Sequence, residues 1–161
     1  MTTDQQLYKI ANKVGLRLEP IIYKNELLQV PKLTEKRNYN YIINMSNSNE
    51  IGSHWIGLFV DAKRRIAYYF NSFAEEFNLM PIEIITFTMR NKLQLYYSQE
   101  PIQNPYRGFC GQYVIAWLIE MNEPSNDLLD YNRYMSQFNS SMDLINKYKN
   151  NHRKLMSIIG S

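Results

Sequence analysis

The spacing of apolar residues near the start of the chain predicts an α-helix. Four apolar side chains recur at intervals that place them on one helical face: Leu7, Ile10, Ala11 and Val14. A hydroxyl or carboxylate at Thr3 or Asp4 can cap the first turn of this helix. We therefore expect an amphipathic helix that ends near Val14.

The middle of the chain has patterns that are typical of β-strands. Residues 39–45 are mostly apolar or aromatic, and residues 93–97 alternate as a strand does. Residues 54–60 and 65–71 flank the turn-like segment Asp61-Ala-Lys-Arg. We expect these two runs to form a β-hairpin.

The remaining patterns are helical. Pro81 suits the first turn of a helix over residues 81–91, and the strongly apolar residues 110–122 predict another. One or two amphipathic helices are expected between residues 124 and 159. With no internal repeats and no low-complexity segments, the pattern predicts one α+β domain over residues 1–161.

Composition supports a folded domain. The 161 residues are 45% hydrophobic and 14% aromatic, which is enough to bury a core and excludes a disordered tail. The first residues contain neither a basic region nor an apolar stretch, so no secretory signal is visible. The longest apolar stretch, residues 113–121, is too short to span a membrane. We expect a soluble protein without a membrane partner, inside cells or packaged in a particle.

The net charge of +3 is concentrated near the C-terminal end of the sequence. From residue 142 onward, Asp143 is the one acidic residue against four basic residues: Lys147, Lys149, Arg153 and Lys154. Such a cluster can bind a phosphate backbone, and we consider it as a DNA-binding surface. It is also typical of the solvated face of a terminal helix.

Cys110 is the only cysteine, so an internal disulfide is excluded. It lies at the start of the predicted helix over residues 110–122, where unpaired N–H groups and the helix dipole favour thiolate over thiol. Gly108 and Gly111 leave room for an extended peptide to approach the sulfur. A free cysteine is also a common buried core residue.

His54 and Asn71 are expected at the same end of the predicted hairpin. A histidine at a strand start can act as a general base, and a nearby amide can orient its ring. His152 is the only other histidine and has no obvious partner. Two histidines and one cysteine, widely spaced, form no zinc pattern, so neither a metal nor another cofactor is expected.

Four motifs in a fixed order resemble those of the adenain-like cysteine peptidases, the adenovirus maturation protease family, which is related to the Ulp-type proteases. They are His54-Trp55, Tyr69-Phe70-Asn71-Ser72-Phe73, Gln103-x-Pro105 and Cys110-Gly111. The resemblance covers about residues 54–121 and implies a papain-like, Ulp-type fold. In that fold a central, mostly antiparallel sheet is flanked by helices, and the catalytic cysteine starts a helix. The spacing from Gln103 to Cys110 favours the viral branch, as in virophages, large DNA viruses and virus-like transposons.

The resemblance implies a catalytic role for several residues. Cys110 would be the nucleophile, and His54 its base or ion-pair partner. Asn71 would orient the His54 ring. The Gln103 side chain and the Cys110 backbone N–H would hold the oxyanion.

The resemblance also implies two substrate-binding residues, Trp55 and Gly111. Trp55 would cover a narrow channel that favours glycine or other small residues beside the cleaved bond. A tryptophan in this position is equally typical of a strand core.

Two departures from the family pattern limit what can be carried over. The third member of the triad is usually Asp or Glu, whereas Asn71 stands here, so Asp61 and Glu75 stay open as alternatives. The adenovirus enzyme is activated through a disulfide to a peptide, and a single cysteine closes that route. Non-covalent activation by DNA or a peptide stays open.

The function implied is that of an endopeptidase that cleaves viral capsid or core precursor proteins during virion maturation. Such an enzyme would act as a monomer in the virion and in the host cytoplasm or viral factory. One alternative is a protease that removes ubiquitin-like modifiers from host proteins. A second is an inactive relative with a structural or nucleic-acid-binding role.

Overall fold

The computed structural model describes residues 2–48, 54–73, 80–97, 108–123 and 144–160. Its centre is one five-stranded sheet in which the strands follow each other in chain order. The strands are β1 (Ile22–Tyr23), β2 (Asn38–Asn44), β3 (Trp55–Asp61), β4 (Ile66–Phe70) and β5 (Gln94–Tyr97). The three central strands pair antiparallel, and these pairings are also the longest. Each edge strand pairs parallel with its neighbour.

The hairpin of β3 and β4 confirms the sequence prediction. Its turn is stabilised by Asp61, whose carboxylate accepts hydrogen bonds from the Arg64 backbone N–H at 3.1 Å and from Arg64 Nε at 2.6 Å. Arg65 closes the turn in the left-handed region, with a φ of 58°. Gly57 pairs with Phe70 across the hairpin, and this register determines which residues meet at its open end.

Four α-helices and a short 3₁₀ helix are described around the sheet. They are α1 (Asp4–Lys13), the 3₁₀ helix (Lys24–Gln29), α2 (Ile82–Arg90), α3 (Cys110–Met121) and α4 (Leu144–Ile159). The predicted helices over residues 81–91 and 110–122 correspond to α2 and α3. Of the predicted region 124–159, residues 124–143 lie outside the described residues. Among the described helices, none is both long and apolar enough to cross a membrane.

Thr3, rather than Asp4, caps α1. The Thr3 hydroxyl accepts a hydrogen bond from the Gln6 backbone N–H at 3.2 Å, and the Gln6 side chain accepts one from the Thr3 backbone N–H at 2.8 Å. This reciprocal pair is a capping box, which satisfies N–H groups that a helix start leaves unpaired. It also sets the direction in which the preceding residue, Thr2, leaves the helix.

Both faces of the sheet are buried, because successive strand residues point to opposite sides. One face packs against α1, α3 and α4 through Ile42, Trp55, Phe59, Tyr68 and Phe70. The other packs against the 3₁₀ helix and α2 through Tyr39, Tyr41, Ile43, Ile56, Leu58, Val60, Ala67 and Tyr69. The sheet is therefore the middle of three layers, and the predicted α+β class with a helix-flanked sheet is confirmed.

Helix α3 is pressed closely against the sheet at Gly57. A Cβ at Gly57 would lie 2.7 Å from the Trp117 ring and 2.8 Å from a Val114 methyl carbon. The Trp117 ring also stacks on Phe70, with ring centroids 5.1 Å apart. This close approach fixes α3, and with it Cys110 at the helix start, relative to β3.

Candidate active site

His54 and Asn71 lie at the open end of the β3–β4 hairpin, as predicted from the sequence. His54 immediately precedes β3 and Asn71 immediately follows β4. Extending the strand register places His54 opposite Phe73, and the two rings stack with centroids 4.0 Å apart and planes within 10°. The His54 carbonyl also accepts a hydrogen bond from the Met45 backbone N–H at 2.8 Å. The histidine is thus held by strands on both sides.

The hydrogen bonds of Asn71 determine the tautomer of His54. Asn71 Oδ1 lies 2.8 Å from His54 Nε2 and also accepts the Phe73 backbone N–H at 2.9 Å. A backbone N–H can only donate, so the atom facing it is the amide oxygen and not the nitrogen. Nε2 must therefore carry the ring proton, which leaves a lone pair on Nδ1. Nδ1 is buried and has no hydrogen-bond partner among the described residues.

Cys110 contacts the backbone of the residue that follows this histidine. It is the first residue of α3 and is 3% exposed. The Trp55 backbone N–H donates to Cys110 Sγ at 3.4 Å, and Trp55 is the residue after His54. The Phe109 carbonyl accepts the Tyr113 backbone N–H at 3.1 Å, which closes the first turn of α3. The first N–H groups of a helix have no carbonyl partner within it, so the oxyanion role of the Cys110 N–H stays a prediction that the helix start is compatible with.

Burial shifts the pKa values of the thiol and the imidazole toward the uncharged forms. Burial raises the pKa of Cys110, and the backbone N–H groups of Trp55, Gly111 and Cys110 oppose this rise more weakly. Burial lowers the pKa of His54, against a smaller opposing effect of the hydrogen bond to Asn71. The helix start acts in the direction expected from the sequence, but desolvation outweighs it. Both shifts favour the thiol and the neutral imidazole over the charged pair.

Trp55 and Gly111 pack closely next to Cys110. Trp55 is 5% exposed, and its indole N–H donates to the Thr2 carbonyl at 2.9 Å. A Cβ at Gly111 would lie 2.6 Å from Leu7 Cδ2 and 3.2 Å from Trp55 Cδ1, so glycine is needed for this packing. Trp55 belongs to the hydrophobic core, which is the strand-core alternative that the sequence also allowed. The substrate-binding roles of both residues stay predictions.

The alternatives for the third triad member differ in position. Asp61 ends β3, at the opposite end from His54, and is paired with Arg64. At about 3.3 Å per residue the strand separates Asp61 from His54 by roughly 20 Å, so Asp61 cannot orient the ring. Glu75 lies outside the described residues, and so does Gln103. The oxyanion role of Gln103 stays a prediction.

The predicted DNA-binding residues belong to α4. Lys149, Arg153 and Lys154 are exposed, and the Lys147 side chain lies outside the described part of the structure. His152 of the same helix contacts the ring of Phe109, the residue before Cys110, with centroids 4.5 Å apart. Within the described ranges, no group of three or more His, Cys, Asp or Glu residues could hold a metal ion.

The sequence patterns assigned no role to two residues that contribute to the site. Phe73 stacks on His54 and donates its N–H to Asn71. Continuing the hairpin register by two residues would have found it. Thr2 contacts both Trp55 and α3, and no signal in the sequence marks it, because the contact depends on tertiary packing.

Comparisons with known proteins give matches among solved structures alone. No protein family and no curated protein matches the sequence. The fold is similar to that of the SUMO protease Ulp1 with its catalytic cysteine oxidised to a sulfinic acid, at a TM-score of 0.42 and 20% identity. That match covers 76% of this chain and 54% of the other. A de-sumoylating protease matches with a TM-score of 0.45 and 15% identity, over 95% of this chain and 76% of the other. The chain therefore spans about half the length of the Ulp1 chain that it matches.

Proposed function

We propose that the chain is a cysteine endopeptidase with Cys110 as nucleophile, His54 as general base and Asn71 as the residue that orients the ring. The observation that carries this proposal is the pairing of His54 Nε2 with Asn71 Oδ1, which leaves Nδ1 buried and without a hydrogen-bond partner among the described residues. The residue after His54 donates its backbone N–H to Sγ of Cys110, the only thiol of the chain. A structural histidine of this burial would be expected to use both ring nitrogens.

Acylation follows from this arrangement. As Sγ attacks the scissile carbonyl carbon, its proton passes to Nδ1 of His54, and the carbonyl oxygen becomes an oxyanion. The Cys110 backbone N–H, together with the Gln103 side chain, would hold that oxyanion. Each such donor typically contributes about 3 kcal/mol, or roughly a hundredfold or more in rate. Collapse of the intermediate breaks the C–N bond, and the leaving amine takes the proton from Nδ1.

Deacylation reverses the roles with water in place of the amine. Nδ1 accepts a proton from water as the water oxygen attacks the thioester carbon. The carbon–sulfur bond then breaks, the acid product leaves, and Sγ regains the proton. Asn71 keeps Nε2 protonated throughout, so Nδ1 is the only ring nitrogen that exchanges protons with the substrate.

A peptide-library assay tests the enzyme class without a known substrate. Wild type, Cys110→Ala and His54→Ala are incubated under reducing conditions with a proteome-derived peptide library, and new termini are identified by mass spectrometry. We expect wild type to produce a set of cuts that share a motif. Cuts that persist in Cys110→Ala would refute the proposed nucleophile.

For the substrate we propose viral capsid or core precursor proteins, on the basis of the ordered motifs around His54, Asn71 and Cys110. Removal of ubiquitin-like modifiers is the second candidate. Gly108 is exposed and adds no side chain two residues before Cys110, which leaves room for the backbone of a modifier that ends in Gly-Gly. Parallel digestion of a capsid precursor and of a modifier fusion separates the two candidates by their relative kcat/KM.

A further inference from the structure

Thr2 connects three segments of the candidate active site. Its carbonyl accepts the Trp55 indole N–H at 2.9 Å. Its hydroxyl oxygen lies 3.1 Å from the Gly108 carbonyl oxygen and 2.9 Å from Nε2 of Gln112. Thr2 therefore contacts the residue after His54, a residue two positions before Cys110, and a residue two positions after it.

The hydroxyl of Thr2 can satisfy both α3 contacts at once. It has a single proton, which the Gly108 carbonyl can accept, and its lone pairs can accept a proton of the Gln112 amide. The Gln112 oxygen also lies 3.1 Å away, but a hydroxyl that donated to it would leave the Gly108 carbonyl without this bond. If Gln112 Nε2 donates to the Thr2 hydroxyl and the hydroxyl donates to the Gly108 carbonyl, all three groups have a hydrogen-bond partner.

Thr2 is itself held in place. The adjacent residue, Thr3, caps α1 through the reciprocal bonds with Gln6, and α1 places Leu7 over Gly111. Thr2 cannot shift without disturbing this helix start. Thr2 therefore links the start of α1 to two segments, the start of β3 at Trp55 and the start of α3.

We propose that Thr2 is a positioning residue, whose hydroxyl and carbonyl hold the turn before Cys110 in register with Trp55 and His54. This inference rests on the proposed peptidase function. Gly108 is an exposed residue just before α3, so without Thr2 this turn loses one of its hydrogen bonds to the rest of the site. The role of Thr2 is to keep the thiol buried against the Trp55 backbone.

The test compares Thr2→Val with Thr2→Ser. Valine keeps the branched shape and the backbone carbonyl but lacks the hydroxyl, whereas serine restores the hydroxyl. We expect Thr2→Val to lower kcat about tenfold, the effect of one lost positioning hydrogen bond, with little change in KM. Thr2→Ser should retain wild-type kcat.

A second readout does not depend on peptidase activity. Cys110 is the only thiol, so the rate of alkylation by iodoacetamide reports on this residue alone. Loosening the turn exposes the sulfur and moves its pKa down toward the ordinary value, so Thr2→Val should be alkylated about threefold faster or more at pH 8. Opposite changes in kcat and in alkylation rate are the signature of lost positioning.

Thr86→Val is the matched control, because it makes the same substitution at an exposed position of α2, which packs on the opposite face of the sheet. It should leave the alkylation rate unchanged. If Thr2→Val matches wild type in alkylation, or if Thr86→Val accelerates alkylation equally, the positioning role is refuted. If wild type cleaves no peptide while Thr2→Val is still alkylated faster, the peptidase proposal fails and the structural link stands.

Discussion

Asn71 directs its side-chain oxygen at two donors, the His54 ring and the Phe73 backbone N–H. A neutral amide can fix the orientation and tautomer of the ring by this means. It supplies no full negative charge, unlike the Asp or Glu that is usual in the family that the sequence resembles. His54 therefore receives orientation from Asn71 but little help in holding a proton, which agrees with the downward shift of its pKa.

Asn71→Ala should reduce kcat/KM far less than Cys110→Ala or His54→Ala. The alanine removes an orienting group, whereas the other two variants remove groups that react. By comparison with other triads, a difference of about a hundredfold is expected. Steady-state peptide hydrolysis measures the ranking, with Tm as a check on folding. Equal losses in all three variants would contradict it.

The pH dependence follows from the two shifted pKa values. Activity needs His54 neutral, and its pKa lies below the ordinary 6.5, so kcat/KM should rise with pH through a value below 6.5 and be level at neutral pH. The pKa of Cys110 lies above the ordinary 9.0, so iodoacetamide should react slowly near pH 5 and faster only in alkaline solution. A step of rapid alkylation well below pH 6.5 would instead indicate a preformed thiolate–imidazolium pair.

Asn71→Asp provides the matched variant for this profile. The carboxylate stabilises the imidazolium and raises the pKa of His54. The acidic limb of the kcat/KM profile should therefore move to higher pH than in wild type. An unchanged limb would show that Asn71 does not act on the titrating group.

At the scale of elements, the site depends on how α3 sits against the hairpin. Gly57 lets the Trp117 ring and Val114 approach the backbone of β3. The same helix begins with Cys110, and the same strand begins one residue after His54. The placement of Cys110 relative to His54 thus depends on the contact between α3 and Gly57.

Gly57→Ala should therefore destabilise the fold and the site together. The added methyl group would meet Trp117 at 2.7 Å and Val114 at 2.8 Å, both inside a packed core. Overpacking of this kind costs about 1–3 kcal/mol, which lowers the midpoint of urea unfolding. Thr86→Ala, on the exposed surface of α2, should change stability by only about 0.5 kcal/mol. A midpoint for Gly57→Ala equal to that of wild type would contradict this packing account.

The elements that local patterns specify were predicted from the sequence. The hairpin was predicted because its two strands are apolar and Asp61 begins a turn between them. Helix α3 was predicted from a continuous apolar run, and its burial under α1 and α4 explains that run. The two-residue strand β1 and the parallel pairing of β5 with β4 depend on contacts between distant segments, which periodicity does not encode.

For the site, the sequence supplied residue types and chain order. The shared end of His54 and Asn71 followed from hairpin geometry. The assignment of the ring proton to Nε2 could not be predicted, because it depends on the Phe73 N–H as a second donor to Asn71 Oδ1. The resting protonation of Cys110 was also beyond the sequence, since the balance between desolvation and the helix start depends on how deeply the thiol is buried.

At the scale of the whole molecule, the topology brings together residues that are far apart in the chain. Trp55 and Cys110 are 55 positions apart, yet the backbone of one contacts the sulfur of the other. Helix α4 packs on α3 through Leu155 and Ile159, and its His152 contacts Phe109, the residue before Cys110. The basic residues of α4 are therefore on an element that adjoins the site.

We propose that these basic residues bind DNA, as the charge distribution of the sequence suggested. The logarithm of the DNA-binding constant should fall linearly with the logarithm of the salt concentration. The slope should be about −0.9 for each phosphate contacted. Fluorescence anisotropy with a DNA duplex should show weaker binding and a shallower slope when four residues are changed to Gln: Lys147, Lys149, Arg153 and Lys154.

The matched control neutralises four exposed lysines elsewhere: Lys9, Lys32, Lys36 and Lys63. It has the same net charge as the α4 variant but an intact α4. Equal loss of affinity in both variants would show that net charge alone governs binding, and retained affinity in the α4 variant would remove the proposal.

The central claim is that His54 Nδ1 activates the Cys110 thiol for covalent catalysis. It is tested most directly by rapid acid quenching of the protein with the p-nitrophenyl ester of a short glycine-ended peptide, followed by intact-mass measurement. We predict that wild type gains one acyl group, which peptide mapping places on Cys110. Cys110→Ala should gain none, and His54→Ala should acylate at least a hundredfold more slowly. Acylation of His54→Ala at the wild-type rate, or of a residue other than Cys110, would contradict the account.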